Sequence, residues 1–212
     1  MKIIEKVILK FKREGLVALS IALVKYPFGF IRRIKYKKLL QKTRIEDRFS
    51  EIYNQNLWLS KESRSGEGSE IEYTQPLREW LINIVPKLDI EVFVDAPCGD
   101  FNWIRKALPS LGVNYIGLDI VPLVIEKNQK AYSADNVRFD IANICEDALP
   151  KCDLIMVRDC LFHLSYEDIN RFLLNLARLD YKYLLTTTHL VDEKYRFRNT
   201  NITTGDFRLI DL

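Results

Sequence analysis

The sequence predicts an α/β fold, a doubly wound and mostly parallel sheet with helices on both faces. Short apolar runs alternate with amphipathic helical stretches between Val92 and Thr186, as in parallel strands joined by crossover helices. Three of these runs finish in an aspartate, namely Asp95, Asp119 and Asp140. Because the carboxyl ends of parallel strands share one rim of a sheet, the three carboxylates are expected at the rim where ligands bind.

Each element of this fold has its own signal in the sequence. A helix is predicted from Thr74 to about Val85, because apolar residues recur there at helical spacing and Pro86 ends the pattern. Apolar runs bounded by turn residues predict five strands, at residues 92–94, 115–118, 137–139, 154–157 and 183–186. Helices between them are predicted at residues 103–108, 122–131 and 166–179.

The turn after the first strand indicates a nucleoside site. The strand ends in Asp95 and breaks into a short turn that contains Gly99. Asp119 follows Gly99 by 20 positions, the separation at which a carboxylate reaches the hydroxyl pair of a ribose. A dinucleotide is disfavoured, because a pyrophosphate needs the close backbone approach that several glycines allow, and Phe101 offers none.

Three segments in order resemble the class I S-adenosylmethionine-dependent methyltransferases, and look like a bacterial subfamily that acts on small molecules. They are Asp-Ala-Pro-Cys-Gly-Asp-Phe-Asn-Trp at 95–103, Gly-Leu-Asp-Ile at 117–120 and Arg-Asp-Cys-Leu-Phe-His-Leu-Ser at 158–165. The resemblance runs from about Leu57 to the C-terminus. The chain departs from the family's glycine-rich loop, since Pro97 and Phe101 stand where glycines are usual and only Gly99 remains.

This resemblance implies S-adenosyl-L-methionine as the cofactor and a set of residues that contact it. They are Asp95, Ala96, Pro97, Cys98, Gly99, Asp119, Ile120, Asp140, Ile141 and Arg158. The family's sheet normally has seven strands, and residues 201–212 are too few for the remaining helix and hairpin. We therefore expect a sheet without its last strands, through C-terminal truncation (the favoured interpretation) or a reduced fold.

The catalytic candidates lie past the fourth strand. Transfer of a methyl group to a hydroxyl needs a base that removes the proton, and His163 follows Asp159 by four positions, so that the carboxylate is expected to orient the imidazole. Packing between its apolar neighbours is the alternative role for His163, and His189 is the rival base and a candidate substrate contact. Phe101 and Trp103 are expected either to stack against the acceptor or to pack on the sheet.

The acceptor is expected to be a small molecule, with a sugar or surface-polysaccharide precursor hydroxyl favoured because similar proteins often accompany surface-polysaccharide assembly. N-methylation of a small molecule is an alternative. The other alternative is a non-catalytic, membrane-associated scaffold with a methyltransferase-like fold.

Charge divides the chain unevenly. Residues 1–44 contain 13 Lys or Arg and two Glu, a balance of +11, whereas the remainder holds 19 basic and 27 acidic residues. Basic residues flank an apolar stretch, Leu16 to Val24, that is too short to span a bilayer. This pattern favours attachment to an anionic membrane surface or, equally, a helix pair packed on the domain. Nucleic acid is a third and less favoured partner.

The predicted organisation has three parts. Residues 1–45 form the basic helical arm, residues 46–72 a linker or lid, and residues 73–212 the methyltransferase domain. The Ser-Gly-Glu-Gly-Ser stretch at 65–69 favours a lid, since such segments fold across open sites, with a plain connector as the alternative. The four cysteines show no metal-ligand spacing, so no metal site is expected and the cytoplasm is the expected compartment, with attachment at the inner face of the cell membrane through the arm.

Overall fold

The computed structural model describes residues 33–191 and 197–212. Contacts divide the chain into two compact units with a boundary between Lys42 and Thr43. Residues 33–39, in the first unit, are helical, whereas the apolar stretch and most of the basic residues of the predicted arm lie outside the described residues. The elements below all belong to the second unit.

A five-stranded parallel sheet forms the centre of this unit. Its strands are β1 (Val92–Asp95), β2 (Asn114–Asp119), β3 (Val137–Ile141), β4 (Leu154–Val157) and β5 (Tyr183–Thr186), in the spatial order β3-β2-β1-β4-β5. In the central strands Val94 pairs with Ile116 on one side and Ile155 on the other. The order reverses between β1 and β4, which places a ligand crevice at their carboxyl ends. The predicted fold class is confirmed.

Helices cover both faces of the sheet. They are α1 (Ile45–Asn54), α2 (Gln75–Ile84), α3 (Ile104–Ala107), α4 (Pro122–Tyr132) and α5 (Tyr166–Leu176). Ser165 caps α5, because its Oγ accepts a hydrogen bond from the Asp168 amide at 3.1 Å. The sequence interpretation treated residues 46–72 as a linker or lid. The helix α1 fills part of this range, and a 3₁₀ turn forms at Glu67–Ser69.

Alternate residues of each strand point to opposite faces, and two buried clusters result. On one face Phe93 and Met156 pack with Leu81 and Ile104 from the helices, all of them almost fully buried. On the other face Val94, Ile116 and Ile155 pack with Phe172 of α5. These clusters fix the sheet between two helical layers.

The last described residues do not extend the sheet. No strand or helix is present among residues 197–212. This segment instead runs beside the turn Leu161–His163, where the amide of Gly205 donates to the carbonyl of His163 at 2.8 Å. Among the described residues, no helix combines the length and the apolar character needed to cross a membrane.

Candidate active site

A pocket of about 990 Å³, open mouth included, lies at the carboxyl ends of β1, β2 and β4. Ten of the residues singled out from the sequence line it, namely Asp95, Pro97, Cys98, Gly99, Trp103, Asp119, Ile120, Arg158, Asp159 and His163. The sheet therefore brings most of the predicted rim residues together.

Asp119 at the end of β2 is held by backbone amides. Its Oδ2 accepts from the amide of Gly99 at 3.0 Å and its Oδ1 from the amide of Val121 at 2.9 Å. Burial nevertheless raises the pKa of Asp119 to about 6, because it disfavours the charged form more than these hydrogen bonds favour it. The carboxylate is thus fixed in place, desolvated, and directed at the pocket.

Asp95 at the end of β1 is the second buried carboxylate. The hydroxyl of Tyr115 donates to its Oδ2 at 2.7 Å. Burial raises the pKa of Asp95 to about 7, while the Tyr115 hydrogen bond and the charge of Arg158 act against this rise. A site with two desolvated acids favours a ligand that is cationic or rich in hydrogen-bond donors.

Arg158 links the rim to the segment before the sheet. Its Nη2 lies 2.9 Å from Asp159 Oδ2 and donates to the carbonyl of Gly68 at 2.7 Å. Its guanidinium carbon lies 5.1 Å from the centre of the Trp103 ring. Asp159 also accepts from the Thr187 hydroxyl at 3.0 Å. The charge of Arg158 is therefore paired with Asp159, and these contacts hold its side chain in place.

His163 lines the pocket with a neutral imidazole. Its Nδ1 lies 2.8 Å from the carbonyl oxygen of Asp206, and a carbonyl can only accept, so the proton resides on Nδ1 and the lone pair on Nε2. Burial lowers the pKa of His163, with the Asp206 carbonyl and the charge of Asp159 acting in the opposite direction. Its ring lies 5.6 Å from that of Trp58, on the pocket wall.

The predicted pairing of Asp159 with His163 is wrong. Asp159 bonds to Arg158 and Thr187, and the imidazole is oriented by the backbone carbonyl of Asp206. The reason is that Asp159 adopts a left-handed backbone conformation with φ 51°, so its carboxylate does not follow the spacing of a helical turn.

Asp140 and Ile141 do not line the pocket. The sequence interpretation ended the third strand at Phe139, but β3 continues through Ile141. Asp140 is exposed and pairs with Arg138 at 3.7 Å, and Ile141 is 57% exposed. The residues after the longer strand, Ala142, Asn143 and Ile144, line the pocket instead.

Phe101, His189 and Ala96 are also outside the lining. Phe101 is 3% exposed and packs 5.0 Å from the Phe139 ring, so packing, the alternative for this residue, is its role. His189 lies behind the wall, 5.1 Å from the Phe162 ring, with Nδ1 at 3.2 Å from the Ile210 carbonyl. Ala96 is fully buried, and its amide donates to Met156 in the sheet.

Sequence reasoning missed one whole wall of the pocket. Ile45, Phe49 and Tyr53 project from α1 and, with Trp58, form an aromatic wall. Their spacing of four residues is the signal of an amphipathic helix, which was obscured because the stretch has charged residues between them. Ser65 and Ser69 of the Ser-Gly-Glu-Gly-Ser stretch line the pocket as well.

Residues 62–69, the covering segment, are hydrogen-bonded to the turn that follows β1, which is called the first turn below. The Ser63 hydroxyl lies 2.8 and 2.9 Å from the two carboxylate oxygens of Asp100. The Asp100 amide donates to Ser65 Oγ at 2.9 Å, and Asn102 Nδ2 donates to the Ser69 carbonyl at 2.9 Å. Gly99 has φ 56°, and a Cβ on it would overlap Ser65 Oγ. The covering segment and the turn are therefore shaped to each other.

No cluster of metal-ligating side chains is found in the part of the chain that the structure describes. Cys98, Cys145, Cys152 and Cys160 are all buried free thiols. Burial raises the pKa of Cys145 to about 12 and that of Cys152 to about 11. These cysteines are therefore protonated packing residues at neutral pH.

Residues 94–179 match the family model described as a methyltransferase domain. The match runs from β1 through α5 and includes Asp95, Asp119 and His163. Over these residues, which are less than half of the chain, the protein is similar to that methyltransferase domain.

Solved structures share this fold at low identity. An O-methyltransferase family protein from Burkholderia thailandensis has 15% identity and a TM-score of 0.51, over 79% of this chain and 51% of that one. The N-methyltransferase NodS from Bradyrhizobium japonicum WM9, in complex with S-adenosyl-L-homocysteine, has 12% identity and a TM-score of 0.50, over 62% and 67%. Human N-acetylserotonin methyltransferase in complex with its cofactor has 17% identity and a TM-score of 0.45, over 69% and 47%.

The chain spans about half the length of the human and Burkholderia proteins. No curated protein matches it. The likeness to the Burkholderia and Bradyrhizobium proteins shows a shared class I methyltransferase fold.

The pocket residues fit the cofactor of this class. Asp119 would hold the ribose hydroxyls, because its carboxylate is desolvated and fixed by two amides. Leu118, Val121 and Ala142 offer apolar surface for the adenine. Asp95 suits the positively charged methionine part of the cofactor, since a positive charge beside this carboxylate would favour the ionised form that burial disfavours.

Proposed function

We propose that this protein transfers a methyl group from S-adenosyl-L-methionine to a hydroxyl of a small molecule, with His163 as the base. The observation that carries the proposal is a neutral imidazole that lines the same pocket as two buried carboxylates. The cofactor supplies an electrophilic methyl group on a sulfonium. The chain's own residues must hold the acceptor and take its proton.

His163 is suited to accept that proton. Its Nδ1–H is committed to the Asp206 carbonyl, which leaves Nε2 as the basic nitrogen. Because burial lowers its pKa, the imidazole is uncharged at neutral pH and ready to act as a base. Arg158 ties the covering segment to the pocket wall, since its Nη2 donates to the Gly68 carbonyl at 2.7 Å.

The lining supports an uncharged acceptor. Arg158 is the one cation among the described lining residues, and its charge is paired with Asp159. An acceptor phosphate inside the pocket would therefore gain no unpaired cation. The aromatic wall and the nearby hydroxyls of Ser65 and Ser69 offer an apolar face and hydrogen bonds, which suits a sugar ring. We therefore favour a sugar or surface-polysaccharide precursor as the acceptor.

Two alternatives are distinguished by experiment. An amine acceptor needs no base, so N-methylation would survive the loss of His163. A scaffold would bind the cofactor and transfer nothing. Incubation of the full chain with methyl-labelled cofactor and a panel of neutral glycosides, amines and phosphorylated sugars tests all three. Labelling of neutral hydroxyl compounds supports the proposal, and labelling of amines alone, or of nothing, contradicts it.

We further propose that residues 1–44 contact an anionic membrane surface, at the inner face of the cell membrane. Their +11 balance supports this placement, and it would bring the pocket close to acceptors made at the membrane.

A further inference from the structure

The turn that carries His163 is held by a remote part of the chain. The turn Leu161–His163 and the residue after it present four successive carbonyls. The amide of Arg208 donates to Phe162 at 3.2 Å and the amide of Gly205 donates to His163 at 2.8 Å. The carbonyls on either side, of Leu161 and Leu164, accept from the Arg208 guanidinium at 3.5 and 2.6 Å. All four carbonyls thus accept from two residues more than 40 positions away, and the Leu161 carbonyl also accepts from the Leu164 amide at 3.1 Å.

Arg208 is a buried arginine whose guanidinium holds two backbone carbonyls of this turn. It is 5% exposed, and its guanidinium carbon lies 5.0 Å from the centre of the Tyr166 ring. Its two terminal nitrogens reach carbonyls three residues apart, which the fork of an arginine allows and a single ammonium does not. Burial of this charge is costly unless its hydrogen bonds are made.

The same segment also holds the imidazole. Asp206 lies between Gly205 and Arg208, and its carbonyl oxygen accepts the Nδ1 proton of His163 at 2.8 Å. Gly205 adopts φ 99°, which a residue with a side chain rarely does, so the chain can turn and present this carbonyl. Thr204 anchors the turn, since its Oγ1 accepts from the Ser165 amide at 2.8 Å and donates to the buried Asp168.

We infer that residues 204–208 are the element that positions the base, and that Arg208 is the positioning residue through which it acts. The segment sets both the location of the His163 ring and the nitrogen that keeps the proton. The inference rests on the proposed function, because a positioned base matters only if His163 takes a proton. It also concerns a property of the protein without substrate, so it can be tested separately.

Three charged groups face the imidazole from the elements packed against it. Asp159, from the end of β4, and Asp206 raise the pKa of His163, whereas Arg208 lowers it together with burial. Removal of the guanidinium removes a repelling charge, which raises the pKa of His163 toward the ordinary value near 6.5. It also loosens the turn and weakens the Asp206 hydrogen bond that fixes the proton on Nδ1.

The experiment is nitrogen NMR of the full chain, which contains only two histidines. The signals that vanish in His163→Gln belong to His163. In the wild type we expect the proton on Nδ1 and a pKa below 6.5. Arg208→Met is expected to raise that pKa and to mix the two tautomers, with a fall in turnover of at least tenfold and little change in KM. Arg208→Lys keeps the charge and one donor for the Leu164 carbonyl. It is expected to restore part of the low pKa and of the Nδ1 tautomer.

Arg138→Met is the matched control, because it removes an exposed arginine from the edge strand β3. It should leave the tautomer, the pKa and turnover unchanged. A wild-type proton on Nε2 would overturn the inference, even if Arg208→Met failed to fold. So would an Arg208→Met protein that is less stable but has wild-type tautomer, pKa and turnover. If the NMR result appears and no methyl transfer is found with any acceptor, the positioning stands and the proposed function fails.

Discussion

Asp95 and Asp119 line the pocket, and both carboxylates are buried away from water. The pKa of Asp95 rises to about 7 and that of Asp119 to about 6, because burial disfavours their charged forms. A protein that keeps such acids at a ligand site loses stability in order to bind a suitable ligand tightly. This cost is measurable in the free protein.

Asp95→Asn is expected to gain stability relative to the wild type as the pH rises. The folded-state pKa lies above the unfolded value near 3.8, so the folded wild type binds more protons between these values and loses stability as the pH rises through them. The gain in the free energy of unfolding should be roughly 2–3 kcal/mol larger at pH 8 than at pH 5. Urea unfolding at both pH values measures it.

Asp140→Asn serves as the control for this prediction, since its carboxylate is exposed on the edge strand and should give no such difference. His163 has a lowered pKa and acts in the opposite direction below pH 6.5, but equally in wild type and variant. An Asp95→Asn protein whose relative stability is the same at both pH values would contradict the burial of this charge.

His163→Ala is expected to lower turnover by ~10²–10⁴, the usual contribution of a positioned base, and to leave cofactor affinity nearly intact. His189→Ala should retain turnover, because that ring lies behind Phe162 and outside the pocket lining. Wild-type turnover should fall as acid protonates His163, at a pH below 6.5 since burial lowers its pKa. Steady-state rates with an acceptor identified by the labelling screen provide the comparison. A larger loss in His189→Ala would move the catalytic role to that residue.

At the scale of elements, the covering segment and the first turn act as a matched pair. Gly68 lies so close to Asp159 that an added Cβ would stand 2.6 Å from its Oδ2. The Gly68 carbonyl also accepts from Arg158 at 2.7 Å. The segment therefore closes only if both contacts are kept.

Gly68→Ala is expected to lift the covering segment. Amide hydrogen exchange of residues 62–69 should become faster, and cofactor affinity should fall, because Ser65 and Ser69 would leave the pocket lining. Ser133→Ala, an exposed change after α4, is the control. Unchanged exchange in Gly68→Ala would show that the segment is a plain connector.

Strands were easier to predict from the sequence than the site. All five strands are where alternation and apolar runs place them, since burial in a parallel sheet demands such runs. The end of β3 was missed because Asp140 looks like a strand terminator, although an exposed edge strand tolerates a charge there. Local spacing also failed for Asp159 and His163, because their partners, Thr187 and Asp206, come from distant segments.

At the scale of the molecule, charge separates the binding domain from the N-terminal arm. Residues 1–44 carry 13 basic and two acidic residues, and the remainder has an excess of acidic residues. A basic arm on an acidic domain favours an anionic surface for the arm alone. The arm would then keep the pocket near the membrane without taking part in catalysis.

The full chain is expected to co-sediment with vesicles that contain anionic phosphatidylglycerol, and less with neutral phosphatidylcholine vesicles. Lys35, Lys37 and Lys38 are exposed, and each basic residue contributes ~1 kcal/mol near an anionic leaflet. Their joint replacement by Gln should therefore weaken binding by roughly 100-fold. Equal recovery with both vesicle types at low salt would favour an arm that packs on the domain.

Calorimetric titration with S-adenosylhomocysteine measures whether the strand-end acids form a cofactor site. The wild type should bind. Asp119→Ala should lose ~2–4 kcal/mol, the usual contribution of hydrogen bonds to a charged group, or roughly 30- to 1,000-fold in affinity. Asp140→Ala should bind like the wild type, since Asp140 lies outside the pocket. Absence of binding by the wild type, or unchanged affinity in Asp119→Ala, would contradict the account.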